Sequence, residues 1–228
     1  MKLFVDTANI DEIRKANEWG LLDGVTTNPT LIAKENVRHR DRVVEICNLV
    51  GPNKAVSAEC IEPEFDKMLA EAGDIATWHE DIHVKVPLTP AGIEVMARLA
   101  PQGVRFNCTL IFSLPQALLA AKAGAKFLSI FVGRVDDMGS AEAHQTVEEV
   151  VDMVHSYKFP QEPEVLVASV RSPIQIVDAL RARAHIVTAP FKTLEQLFHH
   201  PLTDAGIERF AKDYKEALEH ASNGTASV

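Results

Sequence analysis

The sequence predicts a single (β/α)8 barrel, the TIM-barrel class of α/β fold, with an extra helix after the eighth unit. Short apolar runs rich in β-branched residues recur mostly about 20 to 30 residues apart, the length of one βα unit. An amphipathic helical pattern follows each run. The length of 228 residues also suits one such barrel, which typically has around 250 residues.

The runs that we predict as strands are continuously apolar, which is typical of parallel strands buried on both faces. In chain order they are Leu3–Val5, Val25–Thr27, Ala55–Ala58, Val84–Val86, Arg105–Cys108, Phe127–Val132, Val165–Ala168 and Ile186–Thr188. Helices are predicted between them, for example over Ala91–Leu99, Leu114–Ala123 and Ala143–Val154. Asn28 and Ser172 each precede a proline, which is the usual combination of a capping residue and a proline at the first helical position.

The chain shows no Gly/Ser-rich linker and no shift in composition, so residues 1–221 are predicted to form one domain. Its last helix, Thr203–Ala221, carries an apolar stripe that would cover either the barrel or a neighbouring subunit: Ile207, Phe210, Ala211, Tyr214 and Leu218. Residues 222–228 are expected to form a disordered tail. A doubly wound open sheet is the alternative fold, but its usual glycine-rich phosphate-binding sequence is missing.

The net charge and the cysteine content limit the partners and the cellular compartment that we expect for this protein. The formal net charge of −9 argues against a nucleic acid or an anionic membrane as the main partner. No apolar run reaches the roughly 18 residues that a membrane helix needs. Cys47, Cys60 and Cys108 are widely spaced, which suits a reducing compartment and forms no zinc or disulfide pattern. These features predict a cytoplasmic protein and still allow a local basic pocket for a small phosphorylated ligand.

Lys85 is the most informative single residue, because it interrupts an apolar stretch, His83–Leu88, that otherwise predicts a buried strand. A lysine is rarely buried unless another group pairs with it or a reaction uses it. An apolar environment favours the neutral amine, which is the nucleophile that Schiff-base chemistry on a ketone requires. The structural alternative is a lysine whose stem is buried and whose ammonium group reaches water.

Polar residues also lie toward the ends of the other predicted strands, on the side of the barrel where active sites of this fold lie. They are Asp6, Thr26, Asn28, Glu59, Asn107, Thr109, Ser129, Arg134, Ser169 and Arg171. Several have simpler explanations: Asp6 and Asn28 could cap helices, and Arg134 could be a solvated loop charge. Independent caps and surface charges would not be expected to gather acids, an amine, amides, hydroxyls and two guanidiniums on one rim. The set therefore predicts a catalytic or binding site.

The string His79-Glu80-Asp81-Ile82-His83 matches the His-Glu-x-x-His pattern of zinc proteases. That chemistry requires both imidazoles on one face of a helix. Here the second histidine enters the predicted strand that contains Lys85, so we predict no metal site at this string.

Three motifs resemble the transaldolase family, and specifically its small-subunit branch, which includes the fructose 6-phosphate aldolases. They are Gly24-Val25-Thr26-Thr27-Asn28-Pro29, Val84-Lys85-Val86-Pro87 and Phe131-Val132-Gly133-Arg134. Ala168-Ser169-Val170-Arg171 is a looser match, with valine where the family often has phenylalanine. The similarity extends from Phe4 to the C-terminal helix. It implies a (β/α)8 barrel, sugar-phosphate substrates, no cofactor, no metal, and a homo-oligomer, which in small-subunit members is a decamer of two pentameric rings.

The resemblance also implies a role for the residues of the predicted site. Lys85 would form the Schiff base, and Asp6 would handle the proton of the C4 hydroxyl. Glu59 and Thr109 would position a catalytic water. The other residues are assigned to substrate binding. Asn28, Asn107 and Ser129 would hydrogen-bond the covalent intermediate, and Arg134, Ser169 and Arg171 would bind the phosphate. Thr26 and Phe131 complete the set.

Glu59 and Phe131 favour a transferase over an aldolase, because fructose 6-phosphate aldolases typically carry glutamine and tyrosine at these positions. A tyrosine hydroxyl near the enamine could help to position water or a proton for release of the three-carbon unit. The resemblance thus implies a transaldolase that converts fructose 6-phosphate and erythrose 4-phosphate to sedoheptulose 7-phosphate and glyceraldehyde 3-phosphate. An aldolase that releases dihydroxyacetone is the first alternative, and a catalytically silent sugar-phosphate-binding barrel is the second.

Overall fold

The computed structural model describes residues 1–133 and 142–224, and it shows a closed barrel of parallel strands that follow one another in chain order. The strands are β1 (Lys2–Asp6), β2 (Gly24–Thr26), β3 (Ala55–Glu59), β4 (Ile82–Pro87), β5 (Phe106–Ile111), β6 (Phe127–Phe131), β7 (Glu164–Ala168) and β8 (Ile186–Ala189). Strand β8 pairs with β1 and closes the barrel. The predicted (β/α)8 fold and the eight predicted strands are confirmed.

Helices connect the strands. In the described part of the chain they are α1 (Ile10–Glu18), α2 (Pro29–Lys34), α3 (His39–Val50), α4 (Phe65–Ile75), α5 (Pro90–Leu99), α6 (Leu114–Lys122), α7 (Glu142–Ser156), α8 (Pro173–Arg181), α9 (Phe191–Gln196) and α10 (Pro201–Gly224). Asn28 caps α2 as predicted, since its side chain accepts a hydrogen bond from the Leu31 N–H. Ser172 precedes α8, but its side chain makes no capping hydrogen bond. None of the helices in these ranges is long and apolar enough to cross a membrane.

The chain divides into two compact units, residues 1–193 and residues 194–228. The first contains the barrel, and the second contains the end of α9 and all of α10. Helix α10 extends to Gly224, past the predicted helix end at Ala221, and residues 225–228 lie outside the described part. The large members of the predicted apolar stripe, Ile207, Phe210, Tyr214 and Leu218, are all more than half exposed in the single chain. One domain over residues 1–221 stays a prediction.

An apolar cluster lies inside the barrel, mainly toward the N-terminal ends of the strands, although its Ala168 is the last residue of β7. It consists of Phe4, Phe127, Leu166, Ala168 and Ile186. Phe4 and Phe127 meet edge to face with their ring centroids 5.9 Å apart. Gly24 makes room for this contact, because a Cβ atom there would lie 2.6 Å from the Phe4 ring. Side chains of a strand alternate between its faces, so Asp6, Ser129 and Thr188 lie on the same inner face, one step nearer the C-terminal end.

His83 belongs to this interior and not to a metal-binding helix. Helix α4 ends at Ile75, before His79, and His83 lies in β4, where its ring stacks on Phe127 with centroids 4.4 Å apart. The second histidine of the string therefore lies on a strand, as predicted, and not on the helix that the zinc-protease pattern requires. Burial, reinforced by the nearby Arg105 charge, lowers the pKa of His83 to about 3.

Substitution of His83 by phenylalanine should weaken the acid sensitivity of the barrel. A histidine in the unfolded chain is protonated near pH 6.5, whereas His83 in the folded protein, with its pKa of about 3, stays neutral until about pH 3. Stability is therefore lost as the pH falls through this window, by about 1.4 kcal/mol per pH unit at most. Urea unfolding at pH 7 and pH 5 should show a smaller loss of free energy in His83→Phe, by about 2 kcal/mol, than in the wild type. An equal loss in both proteins would contradict the burial of a neutral imidazole.

Candidate active site

Lys85 is buried beside Glu59 in the C-terminal half of the barrel. The lysine is 5% exposed, and its Nζ atom lies 3.0 Å from Glu59 Oε2. The same amine donates to the backbone carbonyl of Thr27 at 3.1 Å. The register of the sheet makes this pairing, because Glu59 of β3 lies directly opposite Lys85 of β4. The amine is largely buried, and it contacts a carboxylate rather than the purely apolar environment expected from sequence.

Asp6 ends β1 and accepts a hydrogen bond from its neighbour Thr26. The Thr26 hydroxyl lies 2.7 Å from Asp6 Oδ1 and also 2.7 Å from the hydroxyl of Thr188 on β8. Asp6 does not cap α1, because Asn9 occupies that position and accepts from the backbone N–H groups of Asp11 and Glu12. The capping explanation of Asp6 is therefore wrong, and its carboxylate faces the barrel interior.

Asn107 is completely buried and fixed at both ends of its amide. Its Oδ1 accepts from the Ser129 hydroxyl at 2.6 Å, and its Nδ2 donates to the Ser57 hydroxyl at 3.0 Å. A buried amide satisfied on both sides has one orientation. Ser57, which was not among the predicted site residues, thus forms one polar network with Asn107 and Ser129.

The Asn28 side chain both caps a helix and lines the cavity. Its Oδ1 caps α2, which confirms the simpler explanation of this residue, and the side chain also lines the cavity at the strand ends. Because the amide oxygen is used by the cap, the amide N–H groups are the part of Asn28 that can donate to a ligand.

Thr109 lies next to a distortion of β5. The residue that follows it, Leu110, has a φ of 59°, and the register of β5 against β6 shifts between Cys108 and Ile111. A left-handed conformation at a leucine costs of order 1 kcal/mol, and such bulges re-aim side chains beside active sites. The Thr109 hydroxyl is buried and has no hydrogen-bond partner within residues 1–133 and 142–224. A buried hydroxyl of this kind is a natural holder of a bridging water.

A cavity of about 150 Å³ opens at the C-terminal ends of the strands. Its walls are Asp6, Thr26, Asn28, Lys85, Ser129, Phe131, Ala168, Ser169 and Thr188. Most of these residues belong to the predicted site, so the structure brings the acid, the amine, an amide and hydroxyls together. Glu59 reaches the cavity through its contact with Lys85, and Asn107 lies behind Ser129.

The ends of β6 and β7 meet at one side of this cavity. A Cβ atom on Gly133 would lie 2.0 Å from the carbonyl oxygen of Ser169 and 3.2 Å from Nε of Arg171, so only glycine permits this close approach. Ser169 adopts a left-handed φ of 61°, and Arg171 is exposed at the rim. Arg134, which follows Gly133 in the sequence, lies outside the described residues. The structure thus places Ser169 and Arg171 at one rim and leaves Arg134 undescribed.

Sequence reasoning missed Thr188, Ser57 and the Thr27 carbonyl. The two-residue alternation of a strand was an available signal for the side chains, since Thr188 follows Ile186 and Ser57 precedes Glu59 on the same face. The backbone carbonyl carries no sequence signal.

The thiols of Cys60 and Cys108, on strands β3 and β5 or next to them, are poor nucleophiles. Cys60 follows Glu59 directly, but burial and the charges of Glu71 and Glu59 raise the pKa of its thiol. Burial likewise raises the pKa of Cys108. Within the described ranges, no three histidine, cysteine or carboxylate side chains are grouped so as to hold a metal ion. The reactive group that the site offers to a carbonyl compound is the amine.

A (β/α)8 barrel with a buried amine, two carboxylates and several hydroxyls at the C-terminal ends of its strands has the arrangement of a barrel enzyme. Comparison with known families makes the class specific. A family model described as Transaldolase/Fructose-6-phosphate aldolase matches residues 3–223. The chain belongs to this family of enzymes, and the resemblance seen in the sequence motifs is confirmed.

Individual relatives match nearly the whole length of the chain. A protein of Kosmotoga olearia named "Probable transaldolase" is 49% identical over 217 residues, which cover 95% of this chain and 97% of the relative. A "Probable transaldolase" of Petrotoga mobilis is 48% identical over 221 residues, 96% of this chain and 97% of the relative. A third, from Caldicellulosiruptor saccharolyticus, is 48% identical over 217 residues, 95% of this chain and 98% of the relative.

Proposed function

We propose that the chain is a transaldolase that carries a dihydroxyacetone unit on Lys85 from a ketose phosphate to an aldose phosphate. The observation that carries the proposal is the buried Lys85–Glu59 pair, with 3.0 Å between amine and carboxylate, at a cavity that Asp6 also lines. Membership of the transaldolase/fructose-6-phosphate aldolase family and the names of the relatives support sugar phosphates as the substrate class.

Schiff-base formation uses Lys85 and Glu59. Glu59 takes a proton from the ammonium group, and the neutral amine attacks the C2 ketone of the donor. The carbinolamine then loses its hydroxyl group as water, with the proton supplied by Glu59, and an iminium remains on Lys85. The buried Thr109 hydroxyl is the group that would hold this water. The distance of 3.0 Å between Glu59 Oε2 and the amine supports this role for Glu59, and the water that the resemblance implies would act beside the same pair.

Cleavage of the carbon chain uses Asp6. Its Oδ1 accepts from Thr26, so Oδ2 is the oxygen that takes the proton of the C4 hydroxyl. The C3–C4 bond breaks, its electron pair moves into the iminium, and the aldose phosphate leaves an enamine on Lys85. An acceptor aldehyde enters, the enamine attacks it, and Asp6 returns the proton. Asn28 and Ser129 line the cavity and are in place to hydrogen-bond the hydroxyl groups of the bound unit.

The phosphate site would lie at the meeting point of β6 and β7. Ser169 and Arg171 belong to that rim, and Gly133 brings the end of β6 against them. A guanidinium forms charge-assisted hydrogen bonds with a phosphate and so sets the reacting carbon in range of Lys85. Arg134 joins this site on the resemblance alone.

Transfer rather than release is the expected fate of the three-carbon unit. Phe131 lines the cavity with an apolar ring, packed edge to face on Phe112 with centroids 5.7 Å apart. A phenyl ring offers no hydroxyl to deliver a proton to the enamine. With fructose 6-phosphate alone we expect little free dihydroxyacetone, and sedoheptulose 7-phosphate should form only when erythrose 4-phosphate is added.

The matched variant is Phe131→Tyr, which adds only a hydroxyl group. It should raise the ratio of released dihydroxyacetone to transferred unit, measured by chromatography of the products at equal enzyme concentration. Rapid release by the wild type without an acceptor would contradict the transferase assignment and favour the aldolase. Absence of both products from an intact protein would favour the silent binding barrel.

We also propose that the protein works as a homo-oligomer in the cytoplasm. The exposed stripe of α10 is a large apolar surface of the kind that association buries, and the resemblance implies a decamer. The net charge of −9 supports neither a nucleic acid nor an anionic membrane as partner. All three cysteines are free thiols, which suits a reducing compartment.

A further inference from the structure

Thr188 takes no part in the proposed reaction, although it lines the cavity. Its hydroxyl is linked to Asp6, the proposed base, through the hydroxyl of Thr26. Its side chain lies on β8, and it is 2% exposed, like Thr26 on β2. The two strands flank β1, with Thr188 opposite Phe4 and Thr26 opposite Asp6. Their hydroxyls meet inside the barrel at 2.7 Å.

The direction of these hydrogen bonds follows from counting protons. A threonine hydroxyl carries one proton, and an ionised carboxylate carries none. Thr26 therefore uses its proton for Asp6 Oδ1, at 2.7 Å, and the bond between the two threonines must be donated by Thr188. The result is a directed chain in which Thr188 donates to Thr26 and Thr26 donates to Asp6.

We propose that Thr188 is a positioning residue for the proton transfer at C4, a proposal that rests on the proposed transaldolase function. By donating to Thr26, it favours the rotation in which the Thr26 proton points at Asp6 Oδ1. Asp6 Oδ2 is then held toward the cavity as the base. Successive hydrogen bonds between buried groups also strengthen one another, so the bond from Thr188 strengthens the hydrogen bond from Thr26 to Asp6.

Without the Thr188 hydroxyl, the Thr26 oxygen would lose its buried donor, and the Thr26 hydroxyl could turn away from Asp6. The step affected is C3–C4 cleavage and its reverse, whereas Schiff-base formation on Lys85 uses other groups. A residue that only contacts the sugar would instead change KM, since it binds the ground state and the transition state alike.

The test compares Thr188→Val, which keeps the shape and removes the hydroxyl, with Thr188→Ser, which keeps the hydroxyl. For transfer from fructose 6-phosphate to erythrose 4-phosphate we expect kcat of Thr188→Val to fall about tenfold, the size of one hydrogen bond. KM should stay within about twofold, and Thr188→Ser should keep about half or more of the wild-type kcat. The rate of borohydride trapping on Lys85 should equal that of the wild type.

A double-mutant cycle completes the test. Thr26→Val should lose at least as much kcat as Thr188→Val, and the double variant should lose no more than Thr26→Val alone, because both act through one chain. Full kcat in Thr188→Val, an equal loss in Val and Ser, a change confined to KM, or additive losses would each overturn the proposal. Failure of the wild type to be trapped on Lys85 would overturn the proposed function instead.

Discussion

Replacement of Lys85 by methionine is expected to lower transfer from fructose 6-phosphate by at least about 10⁴-fold. Methionine fills the space of the buried stem but has no amine, so no Schiff base forms and the electrons of the C3–C4 bond have no acceptor. Release of glyceraldehyde 3-phosphate measures the loss. Borohydride reduction followed by peptide mass analysis should place a three-carbon adduct on Lys85 in the wild type and none in the variant.

The fold needs its own control, because Lys85→Met leaves the Glu59 carboxylate buried without its cation. Removing one member of a buried pair costs about 3 kcal/mol, the low end of the usual range, since the Glu59 side chain keeps 15% exposure. Lys85→Met combined with Glu59→Gln removes both charges. It should recover most of the free energy of unfolding in urea and none of the activity. Turnover within tenfold of the wild type in either variant would remove Lys85 from the nucleophile's role.

The barrel could be predicted because its signal is repeated along the whole chain. Each βα unit contributes an apolar run and an amphipathic helix, so an error in one boundary leaves the count of units unchanged. Strand β5 shows the limit of this approach. Its predicted end was Cys108, but the strand continues through Thr109 to Ile111 across the left-handed Leu110. No residue pattern predicts such a conformation at leucine, because the surrounding barrel imposes it.

The members of the site could be predicted more readily than their contacts. Lys85 and Asp6 stood out because charged residues at the ends of apolar strands demand partners. The contact partner of each residue depends on the stagger between neighbouring strands. This stagger is set by the closed barrel and cannot be deduced from the local sequence. The contact of Glu59 with Lys85 follows from the β3–β4 register, and that of Thr26 with Thr188 follows from their positions on both sides of β1. Thr188 was overlooked for this reason, since a threonine on a strand is ordinary until its neighbour is known.

Replacement of Asp6 by asparagine is expected to separate the two chemical steps. The amide has the shape of the carboxylate and can still accept from Thr26 through its oxygen, but it cannot take the C4 hydroxyl proton. Schiff-base formation should persist, and turnover should fall by about 10²- to 10³-fold, the usual contribution of a general base. Trapping with borohydride reports the step directly. The wild type should yield a three-carbon adduct on Lys85, whereas Asp6→Asn should yield an adduct that keeps all six carbons and the phosphate.

Asp23→Asn supplies the matched control at the opposite end of the barrel, just before β2. The Asp23 carboxylate accepts from the backbone N–H of Leu3 at the N-terminal end of β1, away from the cavity that Asp6 lines. Because this end of a barrel serves stability, Asp23→Asn should change the urea midpoint and leave kcat and the identity of the trapped adduct as in the wild type. If Asp6→Asn gave the three-carbon adduct at the wild-type rate, Asp6 would not be the group that removes the C4 proton. The chain of hydroxyls from Thr188 would then serve the fold of the barrel rather than the reaction, so this one substitution tests both assignments at the step they share.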